Sequence, residues 1–80
     1  MVRFFFDFWT ARSSSRDDEG TELSDVEAAH AEALGALTDG ICDVVMEGQI
    51  DQRFAIEVRD ELGPVLEVEA VFSSRILRKQ

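Results

Sequence analysis

Two side chains of this sequence belong to the types that most often carry out catalysis or bind metals. His30 is the only histidine and Cys42 is the only cysteine. A helical pair of metal ligands would need a second ligand four residues after His30, and that position is Leu34. Cys42 precedes Asp43, whereas reactive cysteines lie in electropositive surroundings. We therefore expect His30 to pack at the margin of the core and Cys42 to be an unreactive thiol.

A second group of candidates is the acidic segment before the helix, with carboxylates at Asp17, Asp18, Glu19 and Glu22. If Gly20 were the sixth residue of an EF-hand loop, the twelfth would be Val26 and not the required glutamate. The phosphate-binding and nucleophile-elbow motifs are also missing from the sequence. We expect no enzymatic activity, no cofactor and no dedicated metal site. Weak binding of a ligand or divalent ion through these acids and His30 stays open as an alternative.

The helix that must position these residues has clear start and stop signals. Ser24 and Glu27 form the S-x-x-E pattern of a capping box, and Gly48 is a plausible C-cap. They predict a helix from about residue 25 to residue 47, unless Asp39-Gly40 interrupts it. At 100° per residue, one apolar stripe would face the core: Val26, Ala29, Ala33, Leu37, Ile41 and Val44.

Strand patterns flank this helix. In the segment from Val2 to Trp9, Phe4, Phe6 and Phe8 alternate with Phe5, Asp7 and Trp9, so both faces carry aromatic rings. We expect other residues of the fold to cover both faces of this strand, at least in part. The charged side chains of Arg3 and Asp7 should oppose aggregation through the edge of the strand. The serine-rich segment from Thr10 to Gly20 predicts a turn and a weak second strand, with a positive φ at Gly20.

The last third of the sequence predicts a hairpin. Phe54, Ile56 and Val58 alternate with Ala55, Glu57 and Arg59, and a DELG turn at 60–63 leads into a second alternating strand. Glu57, Arg59, Glu67 and Glu69 should form a solvated face. The predicted fold is α+β, with an antiparallel sheet of three to four strands, one long helix on one face, and the order ββαββ. It is a single domain of residues 1–80, whose tail at 74–80 frays unless Ile76 and Leu77 continue the pairing.

Three stretches resemble a family of small bacterial domains that is known only as a domain of unknown function. They are Phe5-Phe6-Asp7, residues 18–34 and residues 54–68. The middle stretch is the most specific, because D/E-x-G-x-E-L-x-D-x-x-x-A combines a turn, a short strand and a capped helix at fixed spacing. The resemblance implies a compact α+β domain. It implies no activity and no catalytic residues.

The net charge of the chain indicates which kinds of molecule it could bind. Eight basic and seventeen acidic residues give a net charge of −9, which repels phosphate backbones and anionic lipid surfaces. We expect a cytoplasmic protein that binds neither nucleic acid nor membranes. A basic protein partner would fit this charge, and an acidic antitoxin-like or regulatory role is therefore one alternative function.

The main functional prediction is a small non-enzymatic interaction module that associates with itself as a dimer. An 80-residue domain buries a limited core, and apolar residues on both faces of one strand favour completion of that core by a second copy. The predicted interface residues are Phe5 and Trp9 on the first strand and the small residues Ala28, Ala31 and Gly35 on the back of the helix.

Overall fold

The computed structural model describes residues 1–10, 13–46, 52–73 and 75–78. It contains β1 (Val2–Thr10), β2 (Ser14–Ser15), β3 (Thr21–Leu23), α1 (Val26–Met46), β4 (Gln52–Asp60) and β5 (Gly63–Phe72). All pairings are antiparallel. The strands follow the order β2-β1-β4-β5, and β3 also pairs with β1. The predicted α+β class is confirmed. The described residues form five strands, because the weak strand predicted in 10–20 is the two-residue β2 and a further short strand, β3, follows that segment.

One face of this sheet and one side of α1 form the core. Phe4, Ile56 and Val58 are fully buried, and burying side chains of this size stabilises the fold by about 1.5–3 kcal/mol each. The other buried apolar residues are Phe6, Ala29, Ala33, Leu37 and Val68. The alternation predicted for β1 and β4 is therefore confirmed, because Phe4, Phe6 and Phe8 of β1 and Phe54, Ile56 and Val58 of β4 belong to the core or pack against it.

The predicted stripe on the helix is correct in its middle and wrong at its start. Val26 is 49 % exposed, because it is the first helical residue and contact with the sheet begins one turn later at Ala29. Ile41 is half-buried. The side chain of Val44 lies outside the described part of the structure.

The cap of α1 also differs from the prediction. Asp25 Oδ1 accepts a hydrogen bond from the Ala28 backbone N–H at 2.8 Å, so Asp25 occupies the N-cap position that was predicted for Ser24. A cap at Asp25 puts Glu27 at the second helical position, one short of the third position that a capping box requires. Residue 47 and the predicted C-cap Gly48 lie outside the described residues.

The helix continues without interruption through Gly40. A Cβ atom at Gly40 would lie 2.9 Å from Cε1 of Phe54, so glycine here lets the helix backbone approach the Phe54 ring. The Asp39-Gly40 pair therefore reflects close packing and not a helix end.

The final hairpin has the predicted turn. Asp60 Oδ1 accepts a hydrogen bond from the Leu62 N–H at 2.8 Å, and Gly63 has a φ of 125°. The alternative that Ile76 and Leu77 continue the strand pairing is not seen, because β5 ends at Phe72 and these two side chains are 76 % and 80 % exposed. In the described part of the chain, no helix has the length and apolar character needed to cross a membrane.

Candidate binding face

The face of the sheet that does not contact α1 is the candidate functional surface. It carries the residues that alternate with the core positions, and we call it the helix-free face. Its two ends differ. One end holds the ion-paired cluster, which we define as Asp7, Asp17 and Arg59. The other end holds the acidic groove, which we define by its lining residues Trp9, Thr10, Arg53, Ala55, Glu57, Glu67 and Glu69.

The ion-paired cluster joins β1, β4 and the segment between β2 and β3. Arg59 Nε donates to Asp7 Oδ2 at 2.8 Å, and Arg59 Nη2 donates to the backbone carbonyl of Asp17 at 2.7 Å. The guanidinium carbon of Arg59 lies 4.6 Å from the centre of the Phe5 ring, within the range of a cation–π interaction. Asp7 is only 7 % exposed. Asp7 is therefore a buried structural residue and not an exposed charge that opposes edge aggregation, as the sequence suggested.

Asp17 compensates for the break between β2 and β3. Its Oδ2 accepts a hydrogen bond from the Phe6 N–H at 3.1 Å, which is a donor of β1 that a continuous neighbouring strand would otherwise satisfy. Its Oδ1 accepts from the N–H groups of Glu19 at 3.1 Å and Gly20 at 3.0 Å. Its own N–H donates to Asp7 Oδ1 at 2.9 Å. The two carboxylates thus hold the segment 16–20 against β1.

These contacts determine the protonation of both acids. Burial alone would raise the pKa of Asp7, but hydrogen bonds from Arg59 and from the Asp17 N–H outweigh it and hold the pKa below its usual value. Burial likewise opposes ionisation of Asp17, and the N–H groups of Gly20, Phe6 and Glu19 lower its pKa overall. Both groups are therefore anionic at neutral pH.

Gly20 gives this segment the backbone conformation it needs. Its φ is +74°, as predicted. A Cβ atom at this position would lie 2.9 Å from Arg3 Cγ and 3.0 Å from both the Phe4 carbonyl oxygen and Phe5 Cε1. Gly20 is thus required both for its positive φ and for the close approach of the segment to β1.

The remaining acids of the 17–22 segment do not converge. Asp18 and Glu19 are exposed, and Glu22 pairs with Arg3 at 3.4 Å. Within the described ranges, no three His, Cys, Asp or Glu side chains come together as metal ligands would. Asp17, the acid with the most contacts, has both oxygens engaged by backbone N–H groups.

The acidic groove is an open cavity of about 430 Å³. Glu57 and Glu67 lie directly opposite each other across β4 and β5, and like charges at such positions destabilise a sheet. Arg53 forms an ion pair with Glu69. Trp9 borders the cavity and is 52 % exposed. The groove therefore combines an accessible aromatic ring with two carboxylates, those of Glu57 and Glu67, that form no ion pair with another described residue.

The predicted interface residues lie on two separate surfaces. On the sheet, Phe5 is half-buried beside Arg59, while Trp9 is exposed in the groove. On the helix, Ala28 is half-buried, and Ala31 and Gly35 are exposed. Because the helix packs on the other face of the sheet, these two groups do not form one continuous surface.

The two candidate reactive residues also lie on the helix. His30 is exposed and does not pack at the margin of the core, and Cys42 is an exposed free thiol. Neither residue lines the groove. The sequence reasoning missed the cluster of Asp7, Asp17 and Arg59, although alternation along β1 and β4 did put Asp7 and Arg59 on the face opposite the core.

Comparison with protein families places these elements in a known domain family. The model of a domain of unknown function, DUF6894, matches residues 3–71. The chain belongs to this family. The DUF6894 match extends from β1 into β5, and it includes the ion-paired cluster and the acidic groove. No curated protein and no solved structure matches the chain.

Proposed function

We propose that this DUF6894 domain is a non-enzymatic interaction module that binds another polypeptide chain in its acidic groove. The observation that carries the proposal is Trp9, which is half exposed at the edge of an open cavity on the face that α1 leaves uncovered. Tryptophan is among the residues that contribute most to binding energy when a partner buries them. A ring in this position offers a large apolar contact at a small cost in conformational entropy.

The distribution of reactive groups supports binding over catalysis. Asp7 and Asp17 are engaged by hydrogen bonds that maintain the fold. The groove is lined by carboxylates and an accessible tryptophan, and neither His30 nor Cys42 lines it. Carboxylates beside an aromatic ring are suited to recognising a cation.

The test is capture of a partner that depends on Trp9. Purified wild-type protein, Trp9→Thr and the control Leu62→Thr would be used as bait in native cell extract, and captured proteins would be identified by mass spectrometry. Threonine keeps a high strand propensity at position 9, and Leu62 is an exposed apolar residue of the hairpin turn outside the groove.

We expect a partner that wild type and Leu62→Thr retain and Trp9→Thr loses. Because Trp9 is the only tryptophan, the same purified partner should shift its fluorescence emission to the blue. Capture that is equal for all three baits would refute the proposal.

A second candidate is an acidic antitoxin-like or regulatory partner of a basic protein. The facing pair of Glu57 and Glu67 favours it, together with the net charge of −9. In this case the captured partner would be basic, and Glu57→Gln with Glu67→Gln would weaken its binding at low salt more than at high salt. A partner that is acidic or neutral, with no salt dependence, would exclude this candidate.

A further inference from the structure

We propose that the acidic groove of one copy binds the C-terminal basic segment of a second copy, so that two chains exchange their tails. We define this segment as residues 75–79, with the sequence RILRK. The inference rests on the proposed function and names the partner that occupies the groove. It explains two observations: the apolar side chains of Ile76 and Leu77 are exposed, and Glu57 and Glu67 face each other without a described cation paired to either.

The basic segment combines positive charge with exposed aliphatic side chains, as a ligand of an acidic and partly apolar groove would. It holds three of the eight basic residues of a chain whose net charge is −9. Arg3, Arg53 and Arg59 each pair with a carboxylate within the fold. Arg75 and Arg78 form no ion pair with any residue that the structure describes, and Ile76 and Leu77 between them are largely exposed. Exposed aliphatic side chains flanked by cations gain from burial against an acidic, partly apolar surface.

The acidic groove has the complementary composition. Among the described lining residues, Glu57, Glu67 and Glu69 supply three carboxylates and Arg53 supplies one cation. A guanidinium between Glu57 and Glu67 would remove their mutual repulsion and form charge-assisted hydrogen bonds. The Trp9 ring can accept a second cation on its face, and Trp9 and Ala55 provide apolar contact for Ile76 or Leu77.

The charge pattern favours exchanged tails over direct contact between two grooves. If the grooves of two copies contacted each other directly, Glu57 and Glu67 of one chain would lie against Glu57 and Glu67 of the other. Like charges across an interface oppose association. A basic segment from each copy supplies the missing counter-charge. Reciprocal insertion also uses the same two surfaces on both chains, which is the condition for a closed two-fold dimer.

The position of the tail favours a second copy over the same chain. Phe72 ends β5 opposite Gln52, so the segment starts near the groove end of the sheet. Ser73 and Ser74 are the only residues between the strand and the segment. Two residues suffice for a tight hairpin beside the edge of β5. A return across the face of the sheet would require a longer connection, because chains packed on a sheet lie about 10 Å above it.

A charge-exchange experiment on the full chain tests the inference. Variant one carries Glu57→Lys and Glu67→Lys in the groove, and variant two carries Arg75→Glu and Arg78→Glu in the segment. Asp39→Lys with Asp43→Lys is the control, because it makes the same charge change as variant one at exposed positions of α1. Sedimentation equilibrium of each protein, from low to high micromolar concentration, gives the dimer dissociation constant. Circular dichroism and urea denaturation verify that each variant is folded.

We expect wild type and the control to dimerise with a blue shift of Trp9 emission. Each variant alone should dimerise about tenfold more weakly or worse. An equimolar mixture should recover the dimer, because a basic groove then meets an acidic segment and an acidic groove meets a basic one.

Three results would overturn the inference. They are a wild-type monomer at every concentration, variants that dimerise as strongly as wild type, and a mixture that does not recover the dimer. A wild-type monomer would leave the proposed function intact if capture of another protein still depends on Trp9. Loss of that dependence would refute the proposed function separately.

Discussion

The two ends of the helix-free face use similar side chains in opposite ways. At the ion-paired cluster, Asp7 is buried and receives hydrogen bonds from Arg59 and from the Asp17 backbone. At the acidic groove, Glu57 faces Glu67 across two strands, and Trp9 remains half exposed. The acid that stabilises the fold is surrounded by donors, whereas the facing acids of the groove, which we propose contact a partner, form no ion pair with a described residue. Substitutions at the two ends should therefore have different consequences.

The largest difference should come from removing the buried acid. Asp7→Ala leaves the Arg59 guanidinium without its carboxylate and the Asp17 N–H without its acceptor. We expect the free energy of unfolding to fall by about 3 kcal/mol, measured by urea denaturation followed by circular dichroism. Glu69→Ala is the matched control in the groove, where the ion pair to Arg53 is solvated and should contribute little. Equal losses for the two variants would show that the two ends do not differ.

A somewhat smaller effect should follow from changing the segment that covers the ion-paired cluster. Gly20→Ala introduces a side chain at a φ of +74° and against the Phe4 carbonyl, and we expect a loss of about 2 kcal/mol. Gly35→Ala is the control, because a Cβ there meets no atom within 4 Å and alanine stabilises a helix by about 0.5–1 kcal/mol relative to glycine. Thermal melts of both variants should move in opposite directions. A Gly20→Ala melt at or above that of wild type would contradict the conformation described for this segment.

Low pH should lower the stability of the protein, because it protonates Asp7 and Asp17 in the ion-paired cluster. The pKa values of Asp7 and Asp17 are lower in the folded protein than the value of about 3.9 in an unfolded chain. Their contribution to stability is therefore complete above about pH 4 to 5, and it is lost as the pH falls through the folded values. The urea midpoint should drop between pH 5 and pH 3. The double variant Asp7→Asn with Asp17→Asn should show a shallower drop over this range, and parallel curves would argue against the assignment.

Much of this fold can be predicted from local patterns. The alternation of β1 and β4, the position of the helix, the final turn and the positive φ of Gly20 all follow from the types of residues within short windows. The wrong predictions concern positions whose burial or hydrogen bonding depends on another element of the fold. Val26 fits the apolar stripe by angle, but the sheet does not extend to it, and Asp25 caps the helix where Ser24 was an equally good candidate by type.

The ion-paired cluster could not be predicted in this way. Its three members are separated by 10, 42 and 52 residues, so their contact depends on the register of β1 with β4 and on the break between β2 and β3. The acidic segment suggested either a helix cap or a ligand site. Asp17 instead takes the place of a missing strand, a role that has no signature in a single sequence.

The smallest stability effect is expected at the groove, and it has the opposite sign. Glu67→Lys replaces a like-charge pair with Glu57 by an opposite-charge pair, so the free energy of unfolding of the monomer should rise by about 0.5 kcal/mol. The same change should weaken binding of a synthetic RILRK peptide, followed by Trp9 emission. Glu61→Lys, at an exposed turn position, is the control for net charge. A variant that gains stability and loses binding shows that Glu67 is retained for recognition at a cost to the fold. If Glu67→Lys lowered stability and left peptide binding unchanged, the groove acids would stabilise the fold, as Asp7 and Asp17 of the ion-paired cluster do.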